Sequence, residues 1–324
     1  MLLAPFAWAF ERYAVRRRLR FLTGKRRSWR SPVPVIVVGN ITAGGTGKTP
    51  MVIWLVEQLR ALGYSPGVVS RGYGGKRGRK PLLVTPDSDP AVVGDEAPMI
   101  ASRARCPVVV AADRARAVES LLQAANSDVV VSDDGLQHYA LARDLEIALI
   151  DGHRGVGNGR CLPAGPLREP VSRLESVDWV ISNGLGSGIV ARETVMTLIP
   201  TAFVRVTPGP GEARQRPEDF VAAHPNVNAV AGVGNPARFA LALRELGLAP
   251  VLHAQPDHHP YDGSELVFDN DWPVVCTEKD AVKIRRLTDL PADVWYLEVE
   301  AHLPDGAAAF LVELLRAHGI SRHG

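Results

Sequence analysis

The chain has only three cysteines, at positions 106, 161 and 276, and none belongs to a C-x-x-C pair. Neither a disulfide framework nor a cysteine zinc site is expected, which suits a reducing compartment. Cys106 and Cys276 abut apolar runs and read as small core residues. A large net charge is also missing: 324 residues carry only +2, so no global field draws the protein to nucleic acid. No apolar stretch is long enough to span a bilayer. The stretch Leu2–Phe10 is cut short by Glu11 and Arg12, and its positive charges follow it, the reverse of a secretory signal. Internal repeats and long low-complexity segments are absent as well. No obligate protein partner is evident.

What is scarce overall is concentrated locally. Residues 1–30 hold nine arginines and lysines against one acid, Glu11, which leaves the rest of the chain net acidic. Leu3, Phe6, Phe10 and Tyr13 recur at helical spacing, with Arg12, Arg16 and Arg20 off that face. Large apolar groups opposite arginine suit a helix lying on an anionic membrane surface, where each basic residue contributes about 1 kcal/mol. A core helix with a solvated basic face is the plainer alternative.

The remainder alternates short, continuous Val/Ile runs with helical patterns. Strands are expected at 34–38, 67–70, 107–111, 128–132, 146–150 and 177–182, and helices at 49–62 and 113–125. Strands without alternation are buried on both faces, as in a parallel sheet. The fold class is therefore α/β, a doubly wound, mostly parallel sheet. Residues 201–225, with Pro208-Gly209-Pro210-Gly211, read as a linker between a domain over 31–200 and a smaller α/β domain over 226–324. The latter is expected to contain strands at 228–233, 273–277 and 294–299 and helices at 236–246 and 306–318.

The strongest motif follows the first strand: Gly39-Asn40-Ile41-Thr42-Ala43-Gly44-Gly45-Thr46-Gly47-Lys48-Thr49-Pro50. Its glycines let backbone N–H groups face phosphate oxygens, Lys48 reaches the β- and γ-phosphates, and the Thr49 hydroxyl suits Mg²⁺. The strict P-loop pattern puts glycine where this chain has Thr42. Asn40 and residues 42–49 are thus the candidate phosphate cradle. Asp133 and Asp134 end another apolar strand, where a P-loop enzyme needs an acid for Mg²⁺. Asp-Asp-Gly is also ordinary turn chemistry.

These stretches, together with Ser70–Gly75, Gly94–Pro98, Asp133–His138, Leu162–Glu169, Asp257–His259 and Thr277–Lys283, resemble one family, the tetraacyldisaccharide 4′-kinases of Gram-negative bacteria. They occur in the family's order, and Thr42 looks like the family's own variant. The resemblance implies transfer of the ATP γ-phosphoryl to the 4′-hydroxyl of an acylated glucosamine disaccharide 1-phosphate, giving lipid IVA. It also implies a peripheral location on the cytoplasmic face of the inner membrane. Asp95 is the expected base, paired by resemblance with His258, and Asp257 is expected to orient that ring. Adjacent histidines before a proline also suit a plain polar loop or a metal-binding pair. Tyr73 and Arg71 are candidate substrate contacts, and Arg114 and Arg168 are candidates for the 1-phosphate, since guanidinium matches phosphate geometry. Thr277, Lys279 and Asp280 resemble the guanine-reading N-K-x-D and are expected near the nucleotide base. A GTP-using switch is the rival this motif supports. A soluble small-molecule kinase and a nucleic-acid-dependent ATPase are others.

Overall fold

The computed structural model describes residues 3–76, 78, 80–206, 213–291 and 293–321. The Pro208–Gly211 stretch lies outside them. In chain order the first half runs α1 (Ala4–Leu22), β1 (Val35–Asn40), α2 (Lys48–Ala61), β2 (Pro66–Ser70), β3 (Leu82–Val84), α3 (Pro90–Val93), α4 (Glu96–Ala104), β4 (Val108–Val110), α5 (Arg114–Ala124), β5 (Val129–Asp133), β6 (Leu145–Asp151) and β7 (Trp179–Asn183). The second runs β8 (Thr194–Arg205), β9 (Arg214–Gln215), α6 (Pro217–Ala223), β10 (Asn226–Ala231), α7 (Pro236–Glu245), β11 (Ala249–Ala254), β12 (Val274–Thr277), α8 (Glu278–Ile284), β13 (Val294–His302) and α9 (Ala307–Ala317).

The expected Val/Ile strands form the centre of a mostly parallel sheet. β1 lies between β5 and β6, β2 between β5 and β4, and β7 beside β6. Both faces are covered, which is why β1, β5 and β6 are buried along their whole length. One face packs Met51, Leu55 and Leu59 of α2 with Ile100 of α4. The other packs Val118 and Leu121 of α5 with Leu136 and Leu141. The first strand order reversal beside β1 puts its carboxyl end at a crevice, the usual place for a ligand in such folds.

Residues 201–225 do more than link. They hold the end of β8, all of β9 and α6. β8 pairs parallel with β7 at its start and antiparallel with β13 at its end, so one sheet continues through both halves. Pro200 sits in β8 opposite Val299, where the register shifts and leaves Thr201 as an extra residue. A bulge of this kind tolerates a residue with no N–H to donate. The last helix also departs from the expected layout. Leu311 and Leu315 of α9 join the core built on α2 and α4, so residues 307–317 pack on the first half.

The N-terminal helix is docked by small residues. Ala7 and Ala14 are buried and Phe10 packs on the Leu136–Leu141 side of the core. Arg17 donates to the Gln137 carbonyl at 2.8 Å. The expected apolar face is therefore split. Phe10 turns inward, while Leu3, Phe6 and Tyr13 stay exposed on one flank and Trp8, Leu19 and Leu22 on the other. Arg12, Arg16 and Arg20 form the exposed outer ridge. No helix among the described residues is long and apolar enough to cross a membrane.

Candidate active site

Between β1 and α2 the chain turns back on itself. Gly44 (φ 103°) and Gly47 (φ 85°) take left-handed backbone, which strains any residue with a side chain. Gly47 also has no room for one: an added Cβ would lie 2.5 Å from Asn183 Nδ2. Asn40 Nδ2 donates to Gly44 O and Thr46 Oγ1, both at 3.3 Å. Ala43 N donates to Pro166 O at 2.8 Å, and Thr42 bridges to Leu167. Asn40, Thr42 and Ala43 therefore shape the turn from beneath. The amides of Gly44, Gly45 and Thr46 donate to no other group among the described residues. Free amides at the start of a 14-residue helix make a site for anions. Lys48 opens that helix with Nζ 3.6 Å from Asp134 Oδ1, and Thr49 follows it, almost buried.

Register places the acids. Asp133 on β5 pairs with Val38 on β1, one strand from the turn. Its Oδ2 accepts from Ser70 Oγ at 3.0 Å, and its buried Oδ1 has no partner among the described residues. Burial, then the charges of Glu96 and Asp134, push the Asp133 carboxyl upward. Asp134 goes the other way. Burial opposes, but Lys48 and Arg168 outweigh it and hold its carboxyl below the usual range. An unpartnered buried carboxylate oxygen, repelled by two neighbouring acids, fits a divalent cation. Among the described residues no three His, Cys, Asp or Glu side chains converge on one point. A cation here would take most of its ligands from phosphate and water, as Mg²⁺ does in nucleotide sites.

The third component comes from both halves. Gly94 (φ 82°) leaves no space for a Cβ, which would lie 2.4 Å from Tyr73 O, so the Arg71–Gly75 loop presses directly on the start of α4. Asp95 immediately precedes α4, makes no capping bond to it, and is 4% exposed. Across the crevice, His258 takes a left-handed backbone (φ 61°) in the loop after β11 and brings Nδ1 to 2.9 Å from Asp95 Oδ2. Asp95 Oδ1 is buried and has no partner among the described residues. Burial would raise the Asp95 carboxyl, but the His258 bond and the charges of Lys279 and Lys283 hold it below its ordinary value. The bond to Asp95 raises His258 against the effect of burial. Tyr73 lays its exposed ring 5.0 Å from that of His258.

Other expected residues sit elsewhere than foreseen. Asp257 does not hold the ring: its Oδ1 is 3.8 Å from His258 Nε2 and pairs instead with Lys279 at 3.4 Å. Thr277, Lys279 and Asp280 are not left facing a nucleotide base. Thr277 caps α8 and donates to Asp280 Oδ2, which also accepts from Gly232 N, and Asp280 is fully buried. Lys279 points at the Asp95–His258 pair. Arg114, 2% exposed, donates to the carbonyls of Ala111 and Asp133. Arg168 donates to both oxygens of Asp134 at 3.1 Å. Both arginines still line a cleft of about 580 Å³. It runs from Asp134 past Arg71, Tyr73, Glu96, Gln137, His138 and Glu169 to Phe10, Tyr13 and Arg17 of α1.

Sequence reasoning missed a second ring around the turn. Asn183, ending β7, donates to Thr46 O at 3.2 Å. Arg154 donates to Gly45 O at 3.0 Å. Arg238 of α7 donates to Asp151 Oδ2 and Asn183 Oδ1, both at 3.2 Å, tying the second half to the turn. Asp151 and Asn183 were findable as polar residues at the carboxyl ends of apolar strands. Arg238 carries no such signal.

A family model described as tetraacyldisaccharide-1-P 4′-kinase matches residues 1–316. A protein of Alkalilimnicola ehrlichii named tetraacyldisaccharide 4′-kinase is 51% identical over 310 residues, covering 94% of this chain and 89% of the relative. One of the same name from Pseudomonas paraeruginosa is 49% identical over 304 residues, covering 93% and 88%. Among solved structures, LpxK from Aquifex aeolicus in complex with ATP superposes with a TM-score of 0.79 at 25% identity, covering 97% of this chain and 99% of that one.

Proposed function

The chain belongs to the tetraacyldisaccharide-1-phosphate 4′-kinase family, and on that premise we propose how its residues carry out the transfer. The reaction is an ATP-dependent phosphorylation of the 4′-hydroxyl of a tetraacyldisaccharide 1-phosphate. The free amides of 44–46 and Lys48 hold the β- and γ-phosphates. Thr49, Asp133 and Asp134 would hold Mg²⁺, which when bound would offset the charge on the phosphate oxygens. Asp95 Oδ1 accepts the proton of the acceptor hydroxyl. The lone pair of the deprotonated sugar hydroxyl oxygen forms the new O–P bond to the γ-phosphorus as the bond to the β-phosphate oxygen breaks and ADP leaves. His258 steadies the other carboxylate oxygen, Oδ2.

The observation that carries this reading is the cleft. It joins Asp134, beside Lys48, at one end to Phe10, Tyr13 and Arg17 of α1 at the other and is lined between by Arg71, Arg114 and Arg168. A phosphorylated sugar with acyl chains has that polarity. The GTP-switch reading loses its motif, because Thr277 and Asp280 are spent on each other. Incubation with γ-labelled ATP and glucosamine disaccharides, with and without acyl chains and the 1-phosphate, is expected to label only the acylated 1-phosphate strongly. Label released to water at the same rate without any lipid would sink the reading.

The same polarity supports a position on an anionic leaflet, the cytoplasmic face of the inner membrane, with α1 lying in the headgroup region. Phe6 and Trp8, 65% and 61% exposed, are the anchors, and Arg12, Arg16 and Arg20 the counter-charges. The double substitution Phe6→Glu and Trp8→Glu is expected to weaken co-sedimentation with anionic vesicles by roughly tenfold or more, since burying one large apolar side chain contributes about 1.5–3 kcal/mol. An unchanged bound fraction in a folded variant would mean that the helix only packs on the protein.

A further inference from the structure

Lys279 is placed oddly for a structural lysine. It lies in the first turn of α8, the end of a helix where a positive charge is unfavourable. Its side chain is only 19% exposed. It faces His258 Nε2 at 3.3 Å and Asp257 Oδ1 at 3.4 Å, with Asp95 Oδ2 and Glu96 Oε1 both at 3.9 Å. The neighbouring Lys283 has a closer partner, Asp280 Oδ1 at 2.9 Å, and reaches Asp95 only at 3.8 Å.

We infer that Lys279 is a positioning residue for the phosphoryl transfer: its ammonium fixes which nitrogen of His258 carries the proton and keeps the Asp95 carboxylate free to take another. This deepens the reading of Asp95 as base and rests on it.

An ammonium has three donors and no acceptor. His258 Nε2 can face it at 3.3 Å only with a lone pair. The ring proton is then on Nδ1, which donates to Asp95 Oδ2 at 2.9 Å. Protonating Nε2 would set two cations against each other. Lys279 therefore resists the imidazolium, while Asp95 favours it, in keeping with the opposite pulls of the two on His258. The same charge lowers the Asp95 carboxyl. Lys279 itself stays charged, because Asp95, Glu96 and Asp257 outweigh the cost of its burial. The titratable groups around His258 are thus Asp95 and Glu96 from α4, Asp257 beside it, Lys279 and Lys283 from α8, and Tyr73 from the glycine-rich loop.

Lys279 lowers the pKa of both members of the pair, so removing its charge raises both. In Lys279→Gln the acid limb of the kcat profile is expected to move up by about one pH unit or more, with kcat at pH 7 down by about tenfold. Lys279→Arg keeps the charge and is expected to hold the limb near its original place. Equal losses in both variants with an unmoved limb would overturn the inference. The wild-type protein supplies a check that needs no variant to fold. Nitrogen-15 NMR of labelled histidine in the full chain, above the pKa of His258, is expected to show its proton on Nδ1. A proton on Nε2 would overturn the inference whatever the variants do. Normal turnover in Asp95→Asn would instead remove the base reading, and the tautomer, read without turnover, separates the two failures.

Discussion

Asp95→Asn is expected to lower kcat by about 10²–10⁴-fold, the usual contribution of a positioned general base, with the fold intact. The asparagine is isosteric, and its side-chain oxygen still accepts from His258 Nδ1. What disappears is the oxygen able to take a proton. Asp95 Oδ1 is buried, unpartnered among the described residues and only one residue from Glu96, which lines the acceptor cleft. Single-turnover transfer from γ-labelled ATP checks the rate, and thermal melting checks the fold. A folded variant within about tenfold of wild type would exclude the base role.

The pair also dictates a pH dependence. Asp95 is held below its ordinary value. Its ionised form therefore stabilises the fold above the unfolded carboxyl pKa, and that contribution is lost as pH falls through the depressed folded value. His258 is raised. Its contribution is complete below the ordinary imidazole value of about 6.5 and is lost as pH rises through the raised folded value. The pair is most stabilising between those limits. Turnover behaves differently. A second ring proton draws the Asp95 carboxylate into a full ion pair and weakens it as a base, so kcat is expected to fall on the acid side through the raised His258 value.

Lys48→Ala is the second large loss expected, about 10²–10³-fold in kcat, as when one preorganised donor to developing charge is removed. Among the described residues Lys48 shares the pairing of Asp134 with Arg168, at 3.6 Å and 3.1 Å. Without it, triphosphate and both aspartates share one pocket with less compensation, and ATP affinity is expected to fall as well. The fold should survive, because the buried face of α2 rests on Met51, Val52, Leu55, Val56 and Leu59. Lys48→Met, which keeps the apolar stem, is expected to lose as much as alanine. Recovery in the methionine variant would show that packing, and not charge, is what Lys48 supplies. Nucleotide titration by calorimetry separates the binding loss from the loss in the chemical step.

Local chemistry made much of this site legible. Gly44 and Gly47 are required where backbone must turn left-handed, and a Val/Ile run before them can only be a buried strand. The P-loop, the paired acids and the central strands are each written in a few adjacent residues. The N-terminal helix was readable as a helix, but not its rotation: spacing groups Phe10 with Leu3, Phe6 and Tyr13, while the body of the protein takes Ala7, Phe10 and Ala14. Which side docks depends on the surface it meets.

Alone, the sequence determined the α/β class, the phosphate-binding turn and the acids beside it, because these follow from backbone conformation and strand burial over short stretches. Only the tertiary structure decided that residues 201–205 continue a shared strand, that α9 returns to the first half, and that Thr277 and Asp280 are internal while Lys279 faces the Asp95–His258 pair. Those outcomes depend on which distant surfaces meet across the crevice, and contacts between residues far apart in the chain leave no local pattern to read.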